Sequence, residues 1–226
     1  MFVQRARAFQ LFPAPFGGGA GLVVPQGSSL EKPQDFKGKK IATPQFGNTQ
    51  DIACRYWLIR AGLKVTQTGG DASIIPTRNP DILQLFIAGK IDAVWTVEPW
   101  LSRLEIEGNG KLIHAEPAAE SITTILVTGT HFMQNNPALM KKFYQAHTEL
   151  TEWIRKNPKE AMRRVADELS RQTRRKFPAK LVEHAWPRLV FDNAISVDNF
   201  RFSLKAAQDA GFIKGKHDIS QMVSIP

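Results

Sequence analysis

The chain has 226 residues, 42% of them hydrophobic, with a net charge of +9, five histidines and a single cysteine. That length supports one large domain or two small lobes with real cores. One cysteine excludes an internal disulfide framework and a cysteine zinc cluster, and the scattered histidines match no metal-binding spacing. No run approaches the ~18 consecutive apolar residues of a membrane-spanning helix.

Residues 1–16, MFVQRARAFQLFPAPF, carry early arginines but only short apolar stretches broken by prolines. They show no periodic pattern and no apolar core of an export signal. FGGGAGLVVPQGSS follows at 16–29, Gly-rich, with a short strand expected at 21–24. Gly18, Gly19 and Ala20 read either as a backbone-donor loop or as plain flexible chain. The dinucleotide fingerprint is excluded because no strand precedes the glycines and no helix follows them.

From 39 onward the pattern is regular. A strand is expected at 39–43, then a helix capped by Asn48, with Asp51 in its first turn and Gly62 at its end. Ile52, Tyr56 and Ile59 fall on one face of that helix. A second strand is expected at 72–76, and Asn79-Pro80-Asp81 opens a helix with Leu83, Phe86 and Ile87 as its apolar face. A third strand is expected at 91–97, a short helix from Pro99, a fourth strand at 111–115 and another at 123–128. Such alternation with short connections predicts an α/β unit with a largely parallel sheet. Beyond it the chain turns helical, with starts at Pro137, Pro158, Pro178 and Val197 and a stop at Gly211.

Two stretches carry candidate chemistry. TPQFGNTQD, 43–51, lies at a strand-to-helix turn. A helix amino terminus offers unpaired N–H groups and partial positive charge, Gly47 admits close backbone approach, and Asn48, Thr49 and Gln50 add neutral donors. This is a site for an oxyanion, or simply a capped helix start. The P-loop spacing is absent. WTVEPW, 95–100, ends a predicted strand, the edge where ligands gather in open α/β sheets. Glu98 and Trp100 there either wall a pocket or serve the next helix and the core.

The positive charge concentrates between 141 and 188, where 13 Lys/Arg face 6 Asp/Glu, densest at RQTRRK, 171–176. With no interleaved aromatics and no recognition-helix pair, a solvated helical face is expected there, and no nucleic-acid partner.

DFKGKKIATPQFGNTQDIACRYWLIRAGL, 35–63, and GGDASIIPTRNPDILQLFIAGKIDAVWTVEPWLSRL, 69–104, resemble the solute-binding proteins of ABC importers for sulfonate, nitrate and taurine. The resemblance covers about 17–211. It implies a type 2 periplasmic-binding fold: two α/β lobes joined by hinge strands, with ligand between them. Residues 1–36 would be an irregular segment and remnant of lobe 1, 37–122 the central lobe, and 123–226 the mostly helical return to lobe 1. The hinge would lie near Phe36-Lys37 and Thr123-Thr124.

The resemblance further implies ligand contacts at Gly18, Gly19, Ala20, Asn48, Thr49, Gln50, Glu98 and Trp100. It implies capture of a small oxyanion without chemistry or cofactor, outside the inner membrane, for permease and ATPase subunits. Glu98 points toward an amine-bearing ligand such as taurine. Family members carry more chain before the Gly-rich loop, so an amino-terminally truncated first lobe is expected. Two other readings remain: an effector-sensing domain of a transcription regulator, for which no helix-turn-helix is visible ahead of the lobes, and a non-functional remnant. An enzyme on a related fold would need a site centred on His131 or Cys54, both isolated in the sequence.

Overall fold

The computed structural model describes residues 9–117, 122–193 and 197–219. Residues 1–8, read above for an export signal, lie outside this range. The chain divides into two compact units.

The central unit is Gly19–Pro117 with Phe202–Lys214. Its strands are β2 (Ala20–Pro25), β3 (Lys40–Thr43), β6 (Ser73–Pro76), β7 (Ala93–Val97) and β8 (Gly110–Ala115), plus a small hairpin of β4 (Val65–Thr66) and β5 (Gly69–Gly70). The five longer strands form one sheet in the order β6-β3-β7-β2-β8. β3 pairs parallel to β6 and β7, while β2 runs antiparallel to both β7 and β8. Four of the five strands therefore point one way, and β2 is inserted against them.

Helices α1 (Thr49–Arg60), α2 (Asn79–Ile87) and α3 (Trp100–Ile106) follow β3, β6 and β7. Strand side chains alternate between faces, and here both faces are covered. Leu22, Val24, Ile41, Ala93 and Trp95 meet Cys54 and Leu58 of α1 on one face. Val23, Ala42 and Val94 meet Ile82, Leu83, Phe86, Leu101 and Leu104 of α2 and α3 on the other. Burial on both sides explains runs such as LVV and AVW in place of polar alternation.

Two expected helix faces are corrected. In α1 the core-facing residues are Cys54 and Leu58, and Ile52 and Ile59 are only half-buried. Tyr56 turns instead to Phe202, with ring centroids 5.4 Å apart. A distant segment thus covers a second side of α1, which sequence periodicity cannot register. In α2 Ile82 takes the buried place expected of Ile87, which is 53% exposed.

The other unit holds the remaining described residues. Its sheet is antiparallel, β10-β1-β9, with β1 (Phe9–Gly18) between β9 (Ile122–Gly129) and β10 (Leu189–Phe191). β1 corrects the expectation of no regular structure over the described part of 1–16, residues 9–16. Its register shifts against β9 between Phe12 and Phe16, so Pro13 and Pro15 fall in an irregularity where a missing N–H is tolerated. The helices are α4 (Thr130–Asn135), α5 (Pro137–Lys156), α6 (Pro158–Thr173), α7 (Ala179–Ala185) and α8 (Val197–Asp209), the last crossing into the central unit at Phe202. Among the described residues no helix is long and apolar enough to cross a membrane.

Candidate oxyanion site at the carboxyl edge of the central sheet

Parallel strands bring their carboxyl ends, and the helix starts that follow them, to one edge. In the central unit Thr43 pairs with Pro76, and the end of β7 pairs with the start of the inverted β2 through Val97 and Ala20. Glu98 N donates to Gly19 O at 2.7 Å, and Glu116 N to Ala20 O at 2.9 Å. Gly19, Ala20, the turn at 43–50 and Glu98 with Trp100 therefore share this edge. Gly18 belongs to the other unit's sheet. It is a glycine for a local reason: φ is +72°, and a Cβ would sit 2.4 Å from Arg188 O.

The turn is held by a buried ion pair. Asp51 is fully buried and Arg55 is 1% exposed. Arg55 Nε and Nη2 donate to the two Asp51 oxygens at 3.0 and 3.2 Å, and Nη1 donates to Thr66 O in the β4–β5 hairpin. The same carboxylate accepts from Thr43 Oγ1 and from Gly47 N, each at 2.9 Å. One carboxylate thus ties strand end, turn and helix together, and a buried charge so paired and hydrogen-bonded is tolerated. The Arg55 guanidinium also lies 5.7 and 5.8 Å from the ring centres of Phe46 and Phe212, which meet edge to face at 5.0 Å. Gly47 sits at φ +70°, which strains any other residue, and a Cβ there would press on the Phe212 ring 3.0 Å away.

Asn48 caps α1: its Oδ1 accepts from Asp51 N at 2.9 Å, and its Nδ2 donates to Gln50 Oε1 at 3.1 Å. Gln50 is buried and Thr49 exposed. The cap takes Asp51 N, and Asn48 N is bonded to Gln45 O. The N–H groups of Thr49 and Gln50 stand at the open first turn, where the helix itself supplies no acceptor.

Glu98 faces its own helix. Its carboxylate accepts from Ser102 N and Ser102 Oγ, both at 3.0 Å, so it caps the start of α3. This is the helix-end alternative weighed above. Trp100 is half-buried under the Arg103 guanidinium, 4.8 Å from the ring centre. Arg103 in turn binds Glu107 at 2.8 and 2.7 Å, which holds the Glu107 carboxyl below its ordinary range. Trp95 is core, 1% exposed, and packs on Trp57 and His114.

Sequence reasoning passed over Arg55, Phe46, Phe212 and the Thr96–Asn79 bond of 2.8 Å that joins the end of β7 to the start of α2. The only local signal was the i,i+4 spacing of Asp51 and Arg55. Two cavities, of about 590 and 660 Å³, lie elsewhere: along α6 and α7, and at the opposite edge beside Lys39 and Asp92. Neither includes a predicted site residue. Cys54 is fully buried, and burial first, then the Asp51 charge, pushes its thiol well above the usual range. It is therefore a protonated core residue, not a thiolate nucleophile. No group of three or more His, Cys, Asp or Glu placed for a metal occurs among the described residues. On the basic stretch, Arg163, Arg164 and Arg171 of α6 are exposed and paired to Glu160, Asp167 and Glu168, as a solvated helical face should be.

A model of the NMT1-like family matches residues 25–170. No curated protein matches the chain. Among solved structures, the alkanesulfonate-binding protein SsuA from Xanthomonas axonopodis pv. citri, bound to MOPS, superposes with a TM-score of 0.76 at 16% identity, over 99% of this chain and 77% of that one. The periplasmic aliphatic sulphonate binding protein SsuA from Escherichia coli gives 0.77 at 18% identity, over 98% and 75%. The periplasmic nitrate-binding protein NrtA from Synechocystis PCC 6803 gives 0.64 at 16% identity, over 91% and 61%. At such identities the likeness shows the fold, that of the periplasmic binding proteins, as the sequence resemblance implied.

Proposed function

The chain belongs to the NMT1-like family, and from that premise we propose that it is the substrate-binding component of an ABC importer for a small oxyanion. Aliphatic sulfonates come first among the ligands, then nitrate; the Glu98 cap on Ser102 gives no support to taurine. The protein would act outside the inner membrane and hand its ligand to permease and ATPase subunits. No bond is made or broken. Binding exchanges the anion's water shell for N–H donors and the positive end of a helix.

The observation that carries this reading is the turn at 43–51. The N–H groups of Thr49 and Gln50 open the first turn of α1 at the carboxyl edge of the sheet, beside Asn48. The nearby Asp51 charge is neutralised by Arg55 behind the turn. An anion arriving at the helix start would therefore meet donors and no net repulsion. Thr49 adds an exposed hydroxyl.

The test is a thermal melt of the purified chain with nitrate, sulfate, taurine, alkanesulfonates and bicarbonate at matched ionic strength. One class of anion should raise the transition, since ligand at a hundredfold over Kd stabilises the folded state by about 2.7 kcal/mol. Asn48→Ala should weaken that anion's binding and cost about 1 kcal/mol as a lost cap. A cooperative melt that no anion moves would sink the proposal.

A further inference from the structure

α5 carries more apolar surface than its own unit covers. One side packs on β1 and β10. Met140 and Thr151 are buried there, and Tyr144 and His147 are half-buried. Beside that side runs a second apolar line: Leu139, Phe143, Ala146, Leu150 and Trp153. Its spacing is 4-3-4-3, the alternation of a two-helix seam. Leu139, Phe143 and Leu150 are 54, 49 and 55% exposed, Ala146 is exposed, and only Trp153 is partly covered, by Arg164. A soluble helix normally hides one apolar stripe.

The charges beside this line indicate what covers it. Lys142 and Glu149 are seven residues apart, so they occupy the same flank of the seam, away from the unit's own core. Among the described residues Lys142 has no ion pair, and Glu149 accepts only from the neutral Gln145, at 2.8 Å. In a parallel helix pair, residues of one flank meet the opposite flank of the partner. In an antiparallel pair they meet the same flank. Centred on Ala146, an antiparallel pair of identical helices sets Lys142 of each copy against Glu149 of the other, and Phe143 near Leu150. The small residue at the centre lets the two backbones approach. A one-copy seam thus has matching charges only with itself reversed.

We propose that this face of α5 seats a second copy of the chain, packed antiparallel about a two-fold axis near Ala146. The seam is about 20 Å long at 1.5 Å per residue. It falls below the ~800 Å² per partner of standard interfaces, so the association is reversible and concentration-dependent.

Sedimentation of the full chain over a range of concentration should show a rise from 25.3 kDa toward twice that mass. Phe143→Asp should hold the protein at the single-chain mass, with helix content and melting unchanged because the side chain is exposed. Lys142→Glu alone and Glu149→Lys alone should each weaken association several-fold, since each sets like charges together twice. The two exchanged together should restore it. Ala146→Cys should cross-link to its own copy on oxidation, while the wild type, whose Cys54 is buried, should not. A single-chain mass at every concentration would overturn the proposal. So would a dimer indifferent to Phe143→Asp and to the charge exchange.

Discussion

Among the described side chains, the two units bury apolar groups to different degrees. In the central unit β2, β3 and β7 are covered on both faces, and side chains as large as Trp95, Phe36 and Leu22 are wholly removed from water. In the other unit the buried apolar residues among the described side chains are Met140, Ala161, Ala166, Leu181, Val182, Ala185 and Ile219. Val127, Phe132, Leu139, Phe143, Leu150, Val165 and Val190 there remain exposed. A helix-sheet-helix sandwich gives each strand residue a partner whichever way it points. The turn proposed to bind anions is built into the better-buried unit. Its geometry is therefore held by fully buried side chains such as Asp51, Arg55, Leu58 and Ile41.

That contrast predicts its own largest break. Arg55→Leu leaves Asp51 buried without a cation and frees the hold on Thr66 O. Losing one partner of a buried pair costs about 3–5 kcal/mol. Urea unfolding should show a loss of that size in the transition of the central unit, followed by the tryptophans at 57, 95 and 100. An unchanged midpoint would mean the pair contributes little to holding the turn. Next in size is Leu22→Ala, which empties a fully buried site and should cost about 2–5 kcal/mol. Its counterpart on the other unit, Leu150→Ala, removes a side chain that is 55% exposed and should stay within about 0.5 kcal/mol in the single-chain form. Equal costs for the two would erase the distinction between the units.

What the sequence makes legible follows the same division. The Asn48 cap, the Pro80 helix start and β3, β6, β7 and β8 are written in local signals: cap residues, short apolar runs and the glycines that end helices. β1 is not, because its prolines break the pattern and its partners lie more than a hundred residues downstream on β9 and β10. β10, three residues long, offers no period to read. The central unit begins at Gly19, where the sequence suggested 37, because β2 is hydrogen-bonded between β7 and β8. Arg55 was invisible for a related reason. An arginine on a helix reads as exposed, and its burial depends on a hairpin carbonyl and on the rings of Phe46 and Phe212, the latter 157 positions away. Asn48, Thr49 and Gln50 were legible as a helix start.

The smallest expected effect separates the units by the setting of their charges. The central pair, Asp51 with Arg55, is buried and therefore screened much less by salt. The α6 pairs stand in water, with Arg163 60% and Glu160 39% exposed at the side chain. Bonds from Arg163, then Arg164, lower the Glu160 carboxyl from its ordinary 4.5 to about 2. Arg171, then Gln172, do the same for Glu168. A carboxyl lowered on folding adds stability that is fully present above its unfolded value and is lost as pH falls through the folded one. The α6 contribution should therefore be complete above pH 4.5 and fade toward pH 2. Solvent screening keeps it small, and added salt should shrink it further. Far-ultraviolet circular dichroism during an acid titration, at low and high salt, reads it directly. Glu160→Gln should flatten part of the low-salt slope in that window, and a slope that neither salt nor the substitution changes would place the acid sensitivity elsewhere than in α6.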